Sequence, residues 1–359
     1  MQPLIFSQHT DSEWFSISIE KLSQPGLPEW EKALWRFILD WYSDRSYIIV
    51  YTSGSTGKPK ELQVSKEMMR VSAGKTLRFF NLNPSDSALL CLSANYIAGK
   101  MMIVRAILGG LHLYVTEPSS TPLKNIDRTF TFAAMVPMQI FEQLKETGSL
   151  NSIEKLLVGG GAVSSKLSDG LQACTCAAYE SYGMTETVSH VALRRINGAG
   201  AHQAFVPMTQ VLVSIDDRDC LVINAPDLLP HPIITNDRAT LYPDGSFRIV
   251  GRIDNVINSG GIKIQPEEVE QQIAPFFRSG FAISSVPDSK MGDKLVLVAE
   301  EKLNDEQVLK INKLLIEPYH RLHLYANLSP LPRTNSCKLD RPALKRFLLE
   351  NLFYIKQLG

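Results

Sequence analysis

The segment Tyr47-Ile-Ile-Val-Tyr51 is followed directly by Thr52-Ser-Gly-Ser-Thr-Gly-Lys58, and this junction decides how the first half of the chain is interpreted. The β-branched and aromatic residues of the first run are typical of a strand. In the second run, glycines let backbone N–H groups turn toward an anion, hydroxyls donate further hydrogen bonds, and the lysine supplies positive charge. A strand that ends in such a loop predicts a phosphate-binding site.

Two alternatives to this interpretation are a flexible Ser/Gly turn and the phosphate loop of kinases and GTPases. The kinase-type loop has four residues between its glycines and a Ser or Thr after the lysine. Here two residues separate Gly54 from Gly57, and Pro59 follows Lys58, so that pattern is not matched. On the loop alone, the Ser/Gly turn stays open.

Outward from this loop, short apolar runs alternate with helical patterns. Further strand-like runs occupy residues 89–92, 111–115, 132–136 and 155–158. Apolar spacing predicts a helix from a Ser65 cap to about Phe80 and another over residues 98–108. A third should start at Pro137, with Ile140, Phe141 and Leu144 on its inner face. This alternation predicts an α/β layered domain with a largely parallel sheet, whose ligands bind beyond the carboxyl ends of the strands.

The pattern changes after residue 220. Residues 221–250 alternate strands with turns, which predicts antiparallel β structure closing the first domain. After Gly251-Arg-Ile-Asp254 the sequence predicts a helix at 266–270, a strand at 295–299, a helix at 305–315 and a last helix starting near Asp340. We therefore predict a large N-terminal domain, residues 1–251, with layered α/β and additional β structure, and a small C-terminal α+β domain, residues 252–359.

Composition narrows the class of protein. The 359 residues are 44% apolar, enough for two cored domains, and 37 basic residues balance 37 acidic ones. The formal net charge is therefore zero, and no overall electrostatic field favours binding to nucleic acid or to an anionic membrane. We expect no secretory signal, because the start Met1-Gln-Pro-Leu-Ile-Phe lacks a basic segment followed by a long apolar one. We also expect no membrane insertion, because no apolar stretch reaches the ~18 residues that span a bilayer. The five cysteines match no zinc spacing, so we expect reduced thiols and a cytoplasmic protein.

Segments spread over positions 51 to 338 resemble, in the same order, the motifs of the adenylate-forming superfamily, which includes the acyl-CoA synthetases. Besides the phosphate loop, they are Gly159-Gly-Gly-Ala162, Tyr179-Glu-Ser-Tyr-Gly-Met-Thr-Glu-Thr187, Thr235-Asn-Asp237, Gly251-Arg-Ile-Asp254 with Ser259-Gly-Gly261, and Pro332-Arg-Thr-Asn-Ser-Cys-Lys338. Each piece alone is commonly scaffold, but ordered matches over this length are hard to obtain by chance. The chain is identified as a member of this superfamily.

The resemblance implies an ATP-dependent acid–CoA ligase that adenylates a carboxylic acid with the help of Mg²⁺ and passes the acyl group to coenzyme A. Glu186 would hold Mg²⁺, Thr185 would contact phosphate, and Lys338 would bridge the reacting carboxylate and the α-phosphate. Tyr182 would stack on adenine, and Asp237 with Arg252 would bind the ribose. The remaining ATP or AMP contacts would come from Thr52, Ser53, Gly54, Ser55, Thr56, Gly57, Lys58, Gly160, Gly161, Ala162, Ser181 and Gly183.

In this superfamily the small C-terminal domain is mobile and rotates between the two half-reactions. Asp254 occupies the hinge position, and Gly260, Gly261 and Lys263 match the loop that then faces the CoA side. The chain departs from the pattern at Asn236, which replaces a glycine, and at Cys337, which replaces the glycine before the catalytic lysine. Only about 50 residues precede the phosphate loop, so the acid-binding side is expected to be simplified or completed by a second subunit, as in a homo-oligomer.

The acid pocket should involve residues 93–102 and the residues after Glu186. Tyr96-Ile-Ala-Gly99 resembles the segment of the subfamily that acts on 2-succinylbenzoate, an aromatic dicarboxylic acid of menaquinone synthesis. Lys100 and Arg105 lie on an otherwise apolar helix. A buried cation is costly unless it is paired, so one of them is a candidate partner for a second substrate carboxylate. The alternative is that the aliphatic part of the Lys100 or Arg105 side chain is buried while its charged group extends to water.

Two further pocket residues are Ser189 and His190, which follow the Thr-Glu motif and could border the aromatic ring of the acid. Other readings stay open at this point. They are a ligase for another aryl or acyl substrate, a stand-alone adenylation enzyme that loads a carrier protein, and an inactive relative that only binds nucleotide.

Overall fold

The computed structural model describes residues 2–51, 61–146, 148–334 and 339–358. The predicted phosphate loop, residues 52–58, lies outside the described residues, and so do Cys337 and Lys338.

The N-terminal part contains helices and strands in alternation. Its helices are α1 (Asp11–Ser23), α2 (Glu29–Tyr42), α3 (Lys66–Phe79), α4 (Ile97–Gly109), α5 (Pro137–Gln143) and α6 (Ser165–Gln172). Its strands are β1 (Leu4–Ile5), β2 (Tyr47–Tyr51), β3 (Glu61–Ser65), β4 (Ser87–Leu90), β5 (His112–Val115), β6 (Phe130–Met135), β7 (Ile153–Val158), β8 (Ala177–Gly183), β9 (His190–Arg195), β10 (Val206–Pro207), β11 (Leu212–Ile215), β12 (Cys220–Asn224), β13 (Ile233–Leu241) and β14 (Phe247–Arg252).

A mixed sheet with the order β1-β5-β4-β6-β7-β8-β9-β10 forms the centre of this part. Strands β5, β4, β6, β7 and β8 run parallel, whereas β1, β9 and β10 pair antiparallel at the two edges. Alternate residues bury opposite faces: Ala88 and Leu90 join one apolar cluster with α2, α3 and α4, and Leu89 joins another with α5 and α6. The predicted α/β layered domain with a largely parallel sheet is confirmed.

Strand β2 departs from this arrangement. It has the predicted bounds, but among the described strands it pairs only with β3, antiparallel, with Tyr47 opposite Ser65 and Tyr51 opposite Glu61. The connection between them covers residues 52–60, and a parallel crossover needs a dozen residues or more. A short connection therefore produces a hairpin rather than another parallel strand.

The predicted helix starts are largely correct. The Ser65 hydroxyl accepts a hydrogen bond from Met68 N and caps α3, which ends one residue before Phe80. Pro137 begins α5, and Ile140 is fully buried. Phe141 was expected on the inner face, and that is wrong, because its side chain is 40% exposed. The helix is only seven residues long and presents a narrow buried face, so Phe141 packs under two lysine ammonium groups instead.

A four-stranded antiparallel sheet, β11-β12-β13-β14, follows the central sheet, as predicted for residues 221–250. Beyond it lie β15 (Ile257–Ser259), β16 (Ile262–Ile264), α7 (Pro266–Ile273), β17 (Phe281–Asp288), β18 (Gly292–Ala299), α8 (Asp305–Asn312), β19 (Leu324–Asn327), α9 (Arg341–Glu350) and β20 (Lys356–Gln357). These strands form a separate sheet with the order β16-β15-β18-β19-β20, and β17 also pairs with β18.

The C-terminal part has its own apolar clusters, which include no residue before Ile257. One face of its sheet packs against α7 and α8, and the other packs against α9. Contact with the preceding part runs through α7 and β14: Gln265 Nε2 donates to Arg252 O at 3.0 Å. The domain boundary between residues 251 and 252 stays a prediction. Among the described residues, no helix combines the length and apolar content needed to cross a membrane.

Candidate active site

The carboxyl ends of the parallel strands bring the predicted segments to one edge of the central sheet. Strand β4 leads to residues 91–96, β7 leads to Gly159-Gly-Gly-Ala162, and β8 carries Ser181, Tyr182 and Gly183 at its end. Since parallel strands end at the same edge, segments far apart in sequence become neighbours there. The structure thus brings together these three segments, which the sequence predicted to bind nucleotide or acid.

The glycine segment is held against β8. Ser181 Oγ donates to Val158 O at 2.9 Å, and Val163 N donates to Glu180 Oε1 at 2.9 Å. Glu180 is buried and also pairs with Arg194. Between these anchors Gly160 has φ of +81°, and Gly161 and Ala162 complete the loop ahead of α6. The predicted adenine-side loop is therefore fixed at both ends, while Ala162 is exposed.

Tyr182 and Asp237 form the centre of the predicted nucleoside site. The Tyr182 hydroxyl donates to Asp237 Oδ2 at 2.7 Å, and Arg252 Nη1 lies 3.3 Å from Asp237 Oδ1. Burial, followed by the neighbouring Asp237 carboxylate, raises the pKa of Tyr182, so the phenol stays neutral. Each carboxylate oxygen of Asp237 keeps a free lone pair, which leaves it able to accept bonds from a diol.

The hinge position is polar and exposed. Arg252 Nη2 lies 2.8 Å from Asp254 Oδ2, and Asn236 Nδ2 donates to the same carboxylate at 3.2 Å. Asn236, the residue that departs from the superfamily motif, thus connects β13 to the hinge. The predicted CoA-side residues lie apart from this cluster: Gly260 and Gly261 form the turn between β15 and β16, and Lys263 is exposed on β16.

Residues 184–189, which connect β8 to β9, carry the Thr-Glu motif. Glu186 is exposed and Thr185 is partly buried, whereas Thr187 and Val188 are fully buried. The two strand ends approach closely, since a Cβ on Gly183 would lie 2.2 Å from Ser189 O. Only glycine fits at that position. The loop therefore presents Glu186 outward and directs Ser189 toward α4.

Arg105 is the most deeply buried cation of the predicted acid pocket. Its side chain is 2% exposed, and Nη2 donates to Ser189 Oγ at 2.9 Å. Among the described residues, its other hydrogen bond is with Met102 Sδ at 3.6 Å, and Nε has no hydrogen-bond partner. No carboxylate in the described part of the chain pairs with it. Burial lowers the pKa of Arg105 to about 9, so the group still carries its charge at neutral pH.

His190 continues this polar chain on the other side of Ser189. Its Nδ1 lies 3.3 Å from Ser189 Oγ, and its Nε2 lies 3.2 Å from Thr76 Oγ1. Burial, and then the charge of Arg105, hold the pKa of His190 well below its usual value. A neutral imidazole can accept from Ser189 and donate to Thr76, so the chain is satisfied without a second cation. Sequence patterns did not indicate that Thr76 belongs to the site, because it lies on α3, 114 residues before its partner His190.

Lys100 faces a different direction from Arg105. Five residues on a helix correspond to a rotation of about 140° between side chains. Lys100 Nζ donates to Ala94 O at 2.7 Å and lies 5.1 Å from the centre of the Phe37 ring on α2. It therefore has partners within the protein, which Arg105 largely lacks. Of the two candidates for binding a second carboxylate, the contacts favour Arg105.

Burial lowers the pKa of Lys100 to about 8, which predicts a pH-dependent contribution to stability. Between pH 8 and about 10.5 the unfolded chain binds the lysine proton and the folded chain does not. The free energy of unfolding of the unmodified protein, relative to Lys100→Met, should therefore rise with pH in this window, by at most about 1.4 kcal/mol per pH unit. Urea unfolding of both proteins at pH 7.5 and 9.5 measures this, and an unchanged difference would contradict it.

The other predicted pocket residues lie at the start of α4. Tyr96 precedes the helix and is 49% exposed, whereas Gly99 is buried one turn along. A Cβ on Gly99 would lie 2.3 Å from Ser93 O, so this glycine lets the preceding loop fold back onto the helix. The close approach explains why the Tyr-Ile-x-Gly pattern requires glycine at its fourth position.

One group of residues at the site was missed by sequence reasoning. Arg341, the first residue of α9, pairs with Glu270 at 2.7 Å and with Glu267 at 3.4 Å, both on α7. Glu267 in turn accepts bonds from Asn255 and Gln265. The network connects Asn255, beside the predicted hinge residue Asp254, to the start of α9. Its members resemble ordinary surface charges in sequence, and only the packing of α7 against α9 brings them together.

Comparison with known proteins agrees with this arrangement. The family described as AMP-binding enzyme matches residues 25–221. A 2-succinylbenzoate–CoA ligase of Listeria monocytogenes is 26% identical over 96% of this chain and 78% of its own length.

Two solved structures share the fold. One is an acyl-CoA synthetase (AMP-forming)/AMP-acid ligase II-like protein from Dyadobacter fermentans, which is 32% identical with a TM-score of 0.61 and covers 91% of this chain and 97% of its own. The other is the o-succinylbenzoate coenzyme A synthetase of Bacillus subtilis in complex with ATP and a magnesium ion. It is 23% identical with a TM-score of 0.71 over 83% of this chain and 69% of its own. The chain belongs to the AMP-binding enzyme family and is an AMP-forming acid–CoA ligase.

Proposed function

We propose that this enzyme activates an aromatic dicarboxylic acid, 2-succinylbenzoate, with ATP and transfers the acyl group to coenzyme A, giving 2-succinylbenzoyl-CoA, AMP and pyrophosphate. The observation that carries the choice of acid is Arg105, a cation buried without a carboxylate partner in the described residues. Relatives named 2-succinylbenzoate–CoA ligase, at 25–27% identity, support the same choice.

Burying a cation costs free energy, and other interactions must offset that cost. Removing a guanidinium from water costs several kcal/mol, and neutral partners such as Ser189 Oγ recover only part of that cost. A substrate carboxylate that reaches Arg105 would offset the remainder through a charge-assisted, bidentate hydrogen bond. An acid with a single carboxylate, which must react at the α-phosphate, would leave Arg105 unpaired. The pocket is therefore selective for a second carboxylate.

The ATP side rests on the residues predicted from the superfamily motifs. Asp237, Arg252 and Tyr182 would hold the nucleoside, with the glycine segment along the base and residues 52–58 on the phosphates. Glu186 fits a magnesium site, because it is exposed beside Thr185 and forms no ion pair among the residues that the structure describes. Mg²⁺ commonly takes one or two protein carboxylates and completes its shell with phosphate oxygens and water. When bound, it supplies positive charge to the phosphates.

The reaction brings a carboxylate toward a polyanion, so positive charge must be placed where the two meet. We assign this task to Lys338, on the resemblance of residues 332–338. Gly260, Gly261 and Lys263 would face coenzyme A once the C-terminal domain has rotated about Asp254. A homo-oligomer stays a prediction.

The competing functions differ in the acid or in the acyl acceptor. A ligase for monocarboxylic aryl or fatty acids leaves the charge of Arg105 unexplained. An enzyme that loads a carrier protein would use the same adenylation site but a protein-bound thiol as its acceptor.

A coupled assay of AMP release tests the proposal directly. The purified protein is incubated with ATP, Mg²⁺ and coenzyme A, and with 2-succinylbenzoate or a panel of mono- and dicarboxylic acids. We expect the highest kcat/KM with 2-succinylbenzoate. A higher value with a monocarboxylic acid would refute the choice of substrate, and acyl transfer to a carrier protein in preference to coenzyme A would refute the acceptor.

A further inference from the structure

The loop between β8 and β9 contains a backbone conformation that its sequence disfavours. Val188 has φ of +66°, in the left-handed region, and its side chain is fully buried. Positive φ is uncommon for any residue with a Cβ and is an outlier for a β-branched one. Glycine or asparagine would adopt this conformation with less strain, so something other than local preference keeps valine there.

Hydrogen bonds hold the strained residue from both sides. Ser189 N donates to Thr187 O at 2.7 Å, which closes a tight turn around Val188. A γ-turn with positive φ at its central residue is rare and strained. The buried Thr187 hydroxyl lies 2.6 Å from Ser189 O, and Met184 N donates to it at 3.0 Å. The turn is thus fixed by its own side chain and by the first residue of the loop.

The turn separates two functional ends of one short loop. Before it lie Thr185 and Glu186, which we predict to contact phosphate and Mg²⁺, and after it lies Ser189, bonded to Arg105. Reversing the chain at Val188 lets Glu186 face outward while Ser189 faces the buried guanidinium. Strain of this kind persists where surrounding structure enforces it, and it is concentrated at functional sites.

We propose that the Thr187–Val188 turn is a positioning element that fixes the separation between the carboxylate-binding end of the pocket, Arg105 with Ser189, and the adenylation end, Thr185 with Glu186. The enzyme selects an acid whose two carboxylates match that separation, so the turn contributes to specificity for dicarboxylic acids of one length. This inference rests on the proposed function, since it presumes that Arg105 receives a second carboxylate.

The test compares Val188→Gly with Val188→Ala. Both variants lose the buried isopropyl group, but only glycine relieves the preference against positive φ. The measured quantity is the ratio of kcat/KM for 2-succinylbenzoate to that for its monocarboxylic analogues, one without the ring carboxylate and one without the chain carboxylate. We expect this ratio to fall about tenfold in Val188→Ala, because alanine keeps the preference against positive φ but lacks the buried side chain that holds the turn. The ratio should fall much less in Val188→Gly, which adopts the turn without strain, and KM for ATP should be nearly unchanged in both variants.

Two results would overturn the proposal: an unchanged ratio in Val188→Ala, or an equal fall in both variants, which would assign the effect to lost packing. If Val188→Ala does not fold, Thr187→Val should lower the ratio and Thr187→Ser should restore it, because serine keeps the hydroxyl. Failure of that rescue would overturn the proposal as well.

A structural measurement separates this inference from the proposed function. In a crystal structure of Val188→Ala, or of Thr187→Val, the distance from Arg105 Nη2 to Ser189 Oγ should lengthen beyond about 3.5 Å. A distance that stays at 2.9 Å would overturn the role of the turn, whichever acid the enzyme uses. If the unmodified protein consumes no dicarboxylic acid while that distance lengthens in the variant, only the proposed substrate fails, and the turn still positions Ser189.

Discussion

Replacing Arg105 by methionine should lower kcat/KM for 2-succinylbenzoate by about 100-fold or more while leaving the folded protein at least as stable. Sites built to bind a polar substrate group lose far more than apolar pockets when that bond is removed. Methionine keeps most of the volume, and Met102 already borders the site, so no large cavity should form. Removing a buried, unpaired charge should raise the free energy of unfolding by about 1 kcal/mol or more.

Activity should fall while the free energy of unfolding rises, and these opposite changes distinguish a substrate-binding role from a structural one. A residue that only supports the fold would lose activity and stability together. Lys100→Met serves as the matched control, because Lys100 lies on the same helix and is also largely buried, but its ammonium already contacts Ala94 O and the Phe37 ring. Steady-state kinetics with the dicarboxylic acid and its monocarboxylic analogues, together with urea unfolding, give both quantities. If Arg105→Met lowered activity equally for both kinds of acid, the guanidinium would not bind the second carboxylate.

The sequence was most informative about structural features that depend on the local pattern of residues. The strand ending at Tyr51, the cap at Ser65 and the start of α5 at Pro137 depend on neighbouring residues, and the structure has them as predicted. The strand order and the hairpin of β2 with β3 depend on long-range pairing, which a single sequence does not record. For that reason the alternation of strands and helices predicted a largely parallel sheet but also suggested, wrongly, that β2 would resemble the other strands.

The candidate site shows the same difference between local patterns, which could be predicted, and long-range contacts, which could not. Glycine segments, the Thr-Glu pair and Asp237 are arranged along the chain in recognisable order, so they could be named before their positions were known. The choice between Lys100 and Arg105 could not be made, because it depends on which neighbours surround each face of α4. Thr76, Glu180 and Arg341 gave no signal either, since each acts through a partner distant in sequence.

Replacing Lys338 by alanine should abolish the first half-reaction and largely spare the second. Adenylation requires positive charge between two approaching anions, and removal of one such group typically costs 100-fold or more in rate, on the order of 3 kcal/mol. Transfer from a supplied acyl-adenylate to coenzyme A lacks that repulsion, so it should retain most of its rate. Pyrophosphate release measures the first step, and thioester formation from synthetic acyl-adenylate measures the second. Equal loss of both would refute the assigned role.

The structure supplies a control for this experiment and shows how the helix after Lys338 is held. Lys345 also lies in this region, on α9, but its side chain is 48% exposed and its nearest carboxylate is 3.9 Å away, so Lys345→Ala should change neither step. The helix that follows Lys338 is anchored, because Arg341 pairs with Glu270 and Glu267 and donates to Ile283 O at 3.1 Å. If the C-terminal domain rotates as predicted, this anchor would make the helix after Lys338 move with it. The lysine charge would then be delivered for adenylation and withdrawn for thioester formation, as the proposed function requires.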